Sequence, residues 1–142
     1  TSKKHCQTVE ACCTVKCEAN SLCYGRHCNE TTMAVVERLG LTADQWSLSY
    51  QSRLGPVKWL EPSTTHMVEA LVKKGVKKLA IVAPAFLADG LETLEELDIG
   101  IREEFMEHGG EDLKVINCLN DDEQWIRGLE QLITNEFEHA IA

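Results

Sequence analysis

The sequence predicts an α/β fold, a small parallel sheet flanked by helices, and three observations predict it. Stretches with apolar residues at helical spacing alternate along the chain with short apolar runs. Those runs stand between helices, the arrangement expected of parallel strands. Helix boundaries carry their own markers: Asp89-Gly90-Leu91-Glu92 before the longest helix, and Gly40, Gly75 and Gly109-Gly110 after others.

Residues 1–28 are rich in Cys, Thr and Glu and show no clean period. They are expected to form a loop-like segment stapled by a ligand. From Asn29 the pattern changes, with Met33, Val36 and Leu39 at helical spacing and Gly40 as the stop. Trp46-Ser47-Leu48-Ser49-Tyr50 alternates large apolar and small polar side chains, which predicts a short strand. Gly55-Pro56 marks a loop. A second helix is expected from Pro62-Ser63-Thr64 to Lys74, ended by Gly75, and Val76 to Val82 reads as a buried strand ended by Pro84. Asp89-Gly90-Leu91-Glu92 has capping-box spacing and opens the longest helix, with Leu91, Leu94, Leu97, Ile101 and Phe105 as its apolar face. Gly109-Gly110 ends it. Leu113 to Ile116 is a third strand, and Asn120-Asp121-Asp122 caps a last helix carrying Trp125, Leu129 and Leu132.

A chain of 142 residues suits one compact domain with a real core. Its composition, 44% hydrophobic and 26% charged, is that of a globular protein. A net charge of -9 without any Lys/Arg block argues against nucleic acid as a partner and suits the handling of a cation. The longest apolar stretch, Leu79 to Ala88, is interrupted by Pro84 and reaches half of the ~20 residues that span a bilayer. Peripheral membrane contact stays open. The chain starts at Thr1 without an initiator Met, so an excerpt of a longer chain is expected.

Cys6, Cys12, Cys13, Cys17, Cys23 and Cys28 crowd the first 28 residues, and only Cys118 lies elsewhere. Crowded thiols in a cytoplasmic chain favour a metal or cluster. No C-x-x-C pair supports a zinc ribbon, and Cys23-x₄-Cys28 matches part of a plant-type ferredoxin spacing. The residues alone leave a cluster, a structural zinc, and free or disulfide thiols as alternatives. Cys118 is expected to be a buried, inert thiol. His5, His27, His66, His108 and His139 show no metalloprotease-like spacing and are expected in solvent.

Three stretches carry a resemblance. They are Ser49-Tyr50-Gln51-Ser52-Arg53-Leu54-Gly55-Pro56-Val57-Lys58-Trp59-Leu60-Glu61-Pro62, Ala83-Pro84-Ala85-Phe86-Leu87-Ala88-Asp89-Gly90-Leu91-Glu92-Thr93-Leu94-Glu95-Glu96-Leu97, and Asn117-Cys118-Leu119-Asn120. In this order and spacing the chain resembles the ferrochelatase family, over residues 24 to 133. The resemblance implies a lyase that inserts ferrous iron into a porphyrin, protoporphyrin IX or coproporphyrin III, in haem biosynthesis. It implies two Rossmann-like halves with the porphyrin cleft between them, of which this chain supplies most of the second. Residues 1–28 would then be a cysteine-rich segment and 29–142 the C-terminal ferrochelatase domain of a longer two-domain chain. The family's principal catalytic histidine, on a His-Ser-Leu-Pro or His-Gly-Ile-Pro type motif, is expected upstream of Thr1, so the excerpt alone should be inactive. Some bacterial members resemble this chain in a cysteine insertion, which implies a [2Fe-2S] cluster with Cys6, Cys12, Cys13, Cys23 and Cys28 as candidate ligands. Cys17 has no place in that pattern.

Porphyrin metallation requires a held macrocycle, removal of two pyrrole protons, and delivery of a partly dehydrated Fe²⁺. Carboxylates and imidazole suit both proton transfer and transient binding of the ion. Glu92 and Glu96 are four residues apart and would stack about one helical turn, roughly 6 Å, from each other. By resemblance Glu92 is a catalytic carboxylate that meets the iron, and Glu96 continues an acidic line toward solvent. A third acid often follows in the family. Gly100 stands there in this chain, so the relay is expected to be shorter or to rely on another residue, such as Glu103. From the residues alone Glu92 equally suits a capping box with Asp89. Asp89 is expected as the helix cap or as support for the site. The family often has a His where Gly90 stands. Trp59 and Phe86 match aromatic positions near the macrocycle. Gln51, Ser52 and Arg53 follow a predicted strand, where α/β proteins place ligand contacts, and Arg53 suits a porphyrin propionate. The alternatives are a related chelatase for cobalt or nickel, and a non-catalytic metal- or haem-binding module.

Overall fold

The structure is a computed structural model and describes residues 12–52 and 59–141. Two 3₁₀ turns, Cys12–Thr14 and Glu18–Asn20, lead into helix α1, Tyr24–Leu39. Helix α2, Thr64–Lys73, precedes strand β1, Lys78–Val82. A π-helix, Glu92–Ile101, runs directly into α3, Arg102–Glu107. Strand β2, Asp112–Ile116, and helix α4, Glu123–Ile141, complete the order. β1 and β2 pair in parallel, from Lys78 opposite Asp112 to Val82 opposite Ile116. The connection between them is the π-helix and α3, so the unit is βαβ.

The predicted α/β class with a parallel sheet holds. Where helix ends are encoded by local chemistry, the expected boundaries hold too. Ser63 caps α2, its Oγ accepting the His66 amide at 3.3 Å. Gly40 ends α1 at φ 65, and Gly75 follows α2 at φ 88, both left-handed and natural for glycine. Asp122 caps α4 by accepting the amides of Gln124 and Trp125 at 2.9 and 3.1 Å.

Four expectations are corrected. α1 starts at Tyr24 inside the cysteine-rich stretch, so the helix crosses the change of pattern read at Asn29. Trp46 to Tyr50 is not a strand; only Tyr50 forms an isolated parallel bridge, to Ser63. Among the described residues that stretch has no neighbouring strand to pair with, and a strand exists only through its partner. β1 begins at Lys78 and alternates half-buried with exposed residues instead of being buried on both faces. The π-helix carries no capping box: Leu91 precedes it in helical conformation without a side-chain cap bond.

The core consists of Val68 from α2, Leu97 and Ile101 from the π-helix, Phe105 from α3 and Leu113 from β2, with Val72, Leu79, Ile81, Ala83 and Val115 packed around it. Each fully buried aliphatic or aromatic side chain contributes about 1.5–3 kcal/mol of transfer free energy. The inward row is Thr93, Leu97, Ile101 and Phe105, spaced by four residues throughout. Leu91 and Leu94, expected on the apolar face, are exposed. The winding explains this. In an α-helix a row at i, i+4 drifts forward by about 40° per step. In a π-helix, with its i→i+5 ladder and wider turn, the same row drifts backward. Along 93, 97, 101 and 105 the two drifts offset each other, and one face stays turned inward.

A helix that tightens from i→i+5 to i→i+4 winding leaves one carbonyl without a ladder donor. Arg102 stands at that change. Its Nε donates to the Asp98 carbonyl at 2.9 Å, its guanidinium pairs with the Asp98 carboxylate, and it also donates to the Leu113 carbonyl of β2. The same side chain therefore bonds the π-to-α junction and ties it to the sheet.

Candidate functional site

The carboxyl ends of parallel strands are where α/β folds bind ligands, and of the expected site residues Phe86, Asp89 and Glu92 follow β1 there. The loop after β1 brings Phe86 and Asp89 to the start of the π-helix, and the loop after β2 brings Cys118 and Asn120 beside them. Asp89 is the junction of these loops. Its Oδ2 accepts Asn120 Nδ2 at 2.7 Å, and its Oδ1 accepts Thr93 Oγ1 at 2.9 Å and the Cys118 amide at 3.3 Å. These donors, Asn120 first, hold the Asp89 carboxyl down at about 2, below the usual carboxylate range. Burial pushes the half-buried Cys118 thiol up, and its hydrogen bond to Asp89 adds to the effect. The Asp89 carboxylate thus joins the Thr93 hydroxyl to the loop after β2. Thr93 Oγ1 also accepts the Gly90 amide at 3.0 Å.

Glu92 is half-buried at the mouth, its carboxylate lying over Gly90: a methyl group at Gly90 would stand 3.2 Å from Glu92 Oε2. Glu96 is exposed and is held from across the mouth. Its Oε2 accepts Gln51 Nε2 at 2.8 Å and Ser52 Oγ at 3.2 Å. Ser52 has φ 60, a left-handed conformation uncommon for a residue with a Cβ. Gln51 and Ser52, expected where α/β proteins place ligand contacts, here bond the Glu96 carboxylate. Beyond Glu96 an open groove is lined by Leu91, Glu95, Glu96, Ile99, Gly100 and Glu103. Glu103 therefore shares a surface with Glu96, with Gly100 between them, and Glu95 adds an acid that the sequence reading did not include.

Phe86 is half-buried in the turn after β1, its amide bonded to the Ala83 carbonyl at 3.0 Å. Trp59 is exposed. Arg53 and Cys6 lie outside the described residues. Thr93 and Asn120 are the participants missed as site residues. Both lay within matched stretches, where Thr93 carried no separate expectation and Asn120 was expected as part of a helix cap.

The cysteine segment is built by polar side chains. Asn20, 1% exposed, accepts the Cys17 amide at 3.0 Å and donates to the carbonyls of Cys12 and Val15 at 2.8 and 2.7 Å. Arg26, also buried, donates to the Asn20 and Ser21 carbonyls and pairs with Glu30. Residues 12–28 thus carry hydrogen-bonded order of their own, against the expectation of order supplied only by a ligand. Burial pushes the Tyr50 phenol up to about 12, and the neighbouring Cys28, Cys13, Tyr24 and Cys23 add to it. A hydrogen bond with Cys28 raises the Tyr24 phenol as well. Cys12 is buried on the Asn20 side. Thiolate donors are the right chemistry for an iron–sulfur centre. Among the described residues, however, no three His, Cys, Asp or Glu stand close enough together to hold a metal ion. Nor, among the described residues, is any helix long and apolar enough to cross a membrane. The histidines at 27, 66 and 108 are exposed, as expected.

Comparison with known proteins agrees with this architecture. The family model described as Ferrochelatase matches residues 9–137. A ferrochelatase of Bdellovibrio bacteriovorus is 43% identical over 128 residues, covering 90% of this chain and 38% of that protein. One from Pseudomonas syringae pv. syringae is 45% identical over 129 residues, covering 91% and 38%. One from Pseudomonas aeruginosa is 49% identical over 115 residues, covering 81% and 34%. The chain thus spans little more than a third of the length of these relatives. With the family model matching most of its residues and the parallel βαβ unit in place, the chain belongs to the ferrochelatase family.

Proposed function

We propose that the protein containing this chain inserts ferrous iron into a porphyrin, protoporphyrin IX or coproporphyrin III, in haem biosynthesis. The observation that carries the reading is the acidic face of the π-helix, which begins with Glu92 at the carboxyl end of the parallel sheet and continues through Glu96 toward Glu103. Metallation exchanges two pyrrole protons for one Fe²⁺. Glu92, half-buried at the mouth, is suited to accept a proton and to meet the ion. Glu96, exposed and held by Gln51 and Ser52, is suited to pass hydrated iron inward, because carboxylates bind such ions transiently. Phe86 and Trp59 are assigned as apolar walls for the macrocycle, Asp89 as support, and Arg53 as a propionate partner. Substrate iron is taken up and released, so the acids need no closed ligand set.

We also assign the cysteine segment a [2Fe-2S] cluster, with ligands drawn from Cys6, Cys12, Cys13, Cys23 and Cys28. The support is the crowding of Cys6, Cys12, Cys13, Cys23 and Cys28 in the first 28 residues, thiols being the ligands such a centre takes. No step of the insertion is routed through the cluster. Anaerobically purified complete protein should carry two irons and two sulfides per chain; a colourless protein with stoichiometric zinc would replace the cluster by a structural metal. A cytoplasmic location belongs to the same proposal, since crowded thiols persist in reducing compartments.

The test is iron insertion by the complete protein under anaerobic conditions. Glu92→Gln should lower turnover by about 10²–10⁴, the usual contribution of a proton-transferring side chain, with an unchanged melting curve. Glu96→Gln should cost less and act mainly as a raised KM for iron. Near-normal turnover in Glu92→Gln would remove the catalytic assignment. Preference for cobalt or nickel would move the protein to a related chelatase.

A further inference from the structure

We propose that Asn120 is a positioning residue for the acidic face of the π-helix, acting through Asp89. The proposal rests on the iron-insertion reading for its activity readout only; the geometry stands apart from it. Asn120 and Asp89 form a reciprocal pair between the two loops at the sheet mouth. The Asp89 amide donates to Asn120 Oδ1 at 2.9 Å, and Asn120 Nδ2 donates to Asp89 Oδ2 at 2.7 Å. Asn120 Nδ2 also donates to the Cys118 carbonyl at 3.1 Å, and the Asn120 amide to the Leu87 carbonyl at 2.9 Å. This one residue therefore bonds the post-β1 loop at Leu87 and at both the amide and carboxylate of Asp89.

The residue type fits the task. Its φ is 48, in the left-handed region that Asn tolerates better than most residues. Only an amide side chain offers both the acceptor that Asp89 N–H needs and the donor that its carboxylate needs. From Asp89 the order passes to Thr93, which is 2% exposed, and through Thr93 to the Gly90 amide. Glu92 lies between these anchored positions, one residue before Thr93. The direction of its carboxylate is consequently set by a residue 28 positions away in sequence.

The experiment uses the complete protein and three variants. Asn120→Gly removes the side chain and keeps the backbone free to adopt positive φ. Asn120→Asp keeps shape and acceptor but turns the donor into a second carboxylate facing Asp89. The double exchange Asp89→Asn with Asn120→Asp restores one amide and one carboxylate in swapped places. Supporting groups of this kind typically contribute 10–100-fold to a site. We expect Asn120→Asp to lose that much in kcat, at a temperature well below its melting point and with little change in KM for porphyrin. The double exchange should recover most of the loss, which a purely stabilising role or a direct need for the Asp89 charge would not produce. Amide hydrogen exchange supplies a readout without turnover: the amides of Asp89, Gly90 and Thr93 should exchange faster in Asn120→Gly. Unchanged exchange there overturns the clamp, whatever the activity. Wild-type kcat in Asn120→Asp, or a double exchange no better than Asn120→Asp alone, overturns the positioning role. Absence of iron insertion by the wild-type protein would overturn the functional reading, while the exchange result would still decide the clamp.

Discussion

Replacing Gly110 by alanine should destabilise the fold, although alanine for glycine usually does the reverse. Where the backbone is compatible, the exchange stabilises by about 0.4–1 kcal/mol by restricting the unfolded chain. Gly110 is not at positive φ, so its conformation raises no objection. The objection is Phe105. A methyl group on Gly110 would stand 2.7 Å from Phe105 Cζ and nearer still to Cε1 and Cδ1, where ordinary carbon contacts are about 3.5–4.0 Å. Phe105 is fully buried among Val68, Leu97, Ile101 and Leu113, so the ring has nowhere to go. Overpacking typically costs about 1–3 kcal/mol. An upper bound comes from the ring itself: the structure can do no worse than give up its packing, which for Phe→Ala is about 3–5 kcal/mol. Urea unfolding of the complete protein, wild type and Gly110→Ala, reads the difference. The same substitution in a Phe105→Ala background should cost nothing, since its opponent is gone. That background makes a coupling of about 1–3 kcal/mol measurable. A midpoint for Gly110→Ala at or above wild type, or an equal loss in both backgrounds, would refute the packing argument.

Asp89→Asn should change the acid limb of stability. The Asp89 carboxyl is held at about 2, below its ordinary value near 3.9, so its contribution is present above pH ~4 and is lost as pH falls toward 2. Melting temperatures of wild type and variant should therefore converge across that window, and parallel curves would contradict it. Asn20→Ala leaves the Cys17 amide and the Cys12 and Val15 carbonyls without their partner, at about 1–3 kcal/mol for each group that stays buried. Faster alkylation of Cys12 and faster amide exchange through residues 12–28 should follow, and unchanged rates would show that Asn20 does not hold the segment. Asp122→Ala should cost about 1 kcal/mol through the start of α4, read as a lower melting point, with no loss expected in turnover at low temperature.

The sequence by itself determined what depends on neighbours in the chain. Ser63 before α2, Gly40 and Gly75 after helices, and Asp122 before α4 act on amides, carbonyls or dihedrals within a few residues, so their effect can be read where they stand. The α/β class and the parallel sheet followed from alternation of such elements. The matched stretches also brought Glu92, Glu96 and Asp89 forward as one motif. Tertiary structure decided the rest. Trp46 to Tyr50 has a strand's alternation but no adjacent strand among the described residues, and pairing is a property of two segments. Leu91 and Leu94 suited an α-helical core face, yet π winding turned Thr93 inward instead, because the row that stays on the core depends on the pitch. Asn20 and Arg26 order a stretch whose composition suggested that only a ligand could. Asn120 meets Asp89 across 31 residues, and Gln51 meets Glu96 across 45. No local pattern records either contact: the first exists only once the parallel sheet has brought its two loops together, and the second only once the Tyr50 segment lies beside the π-helix.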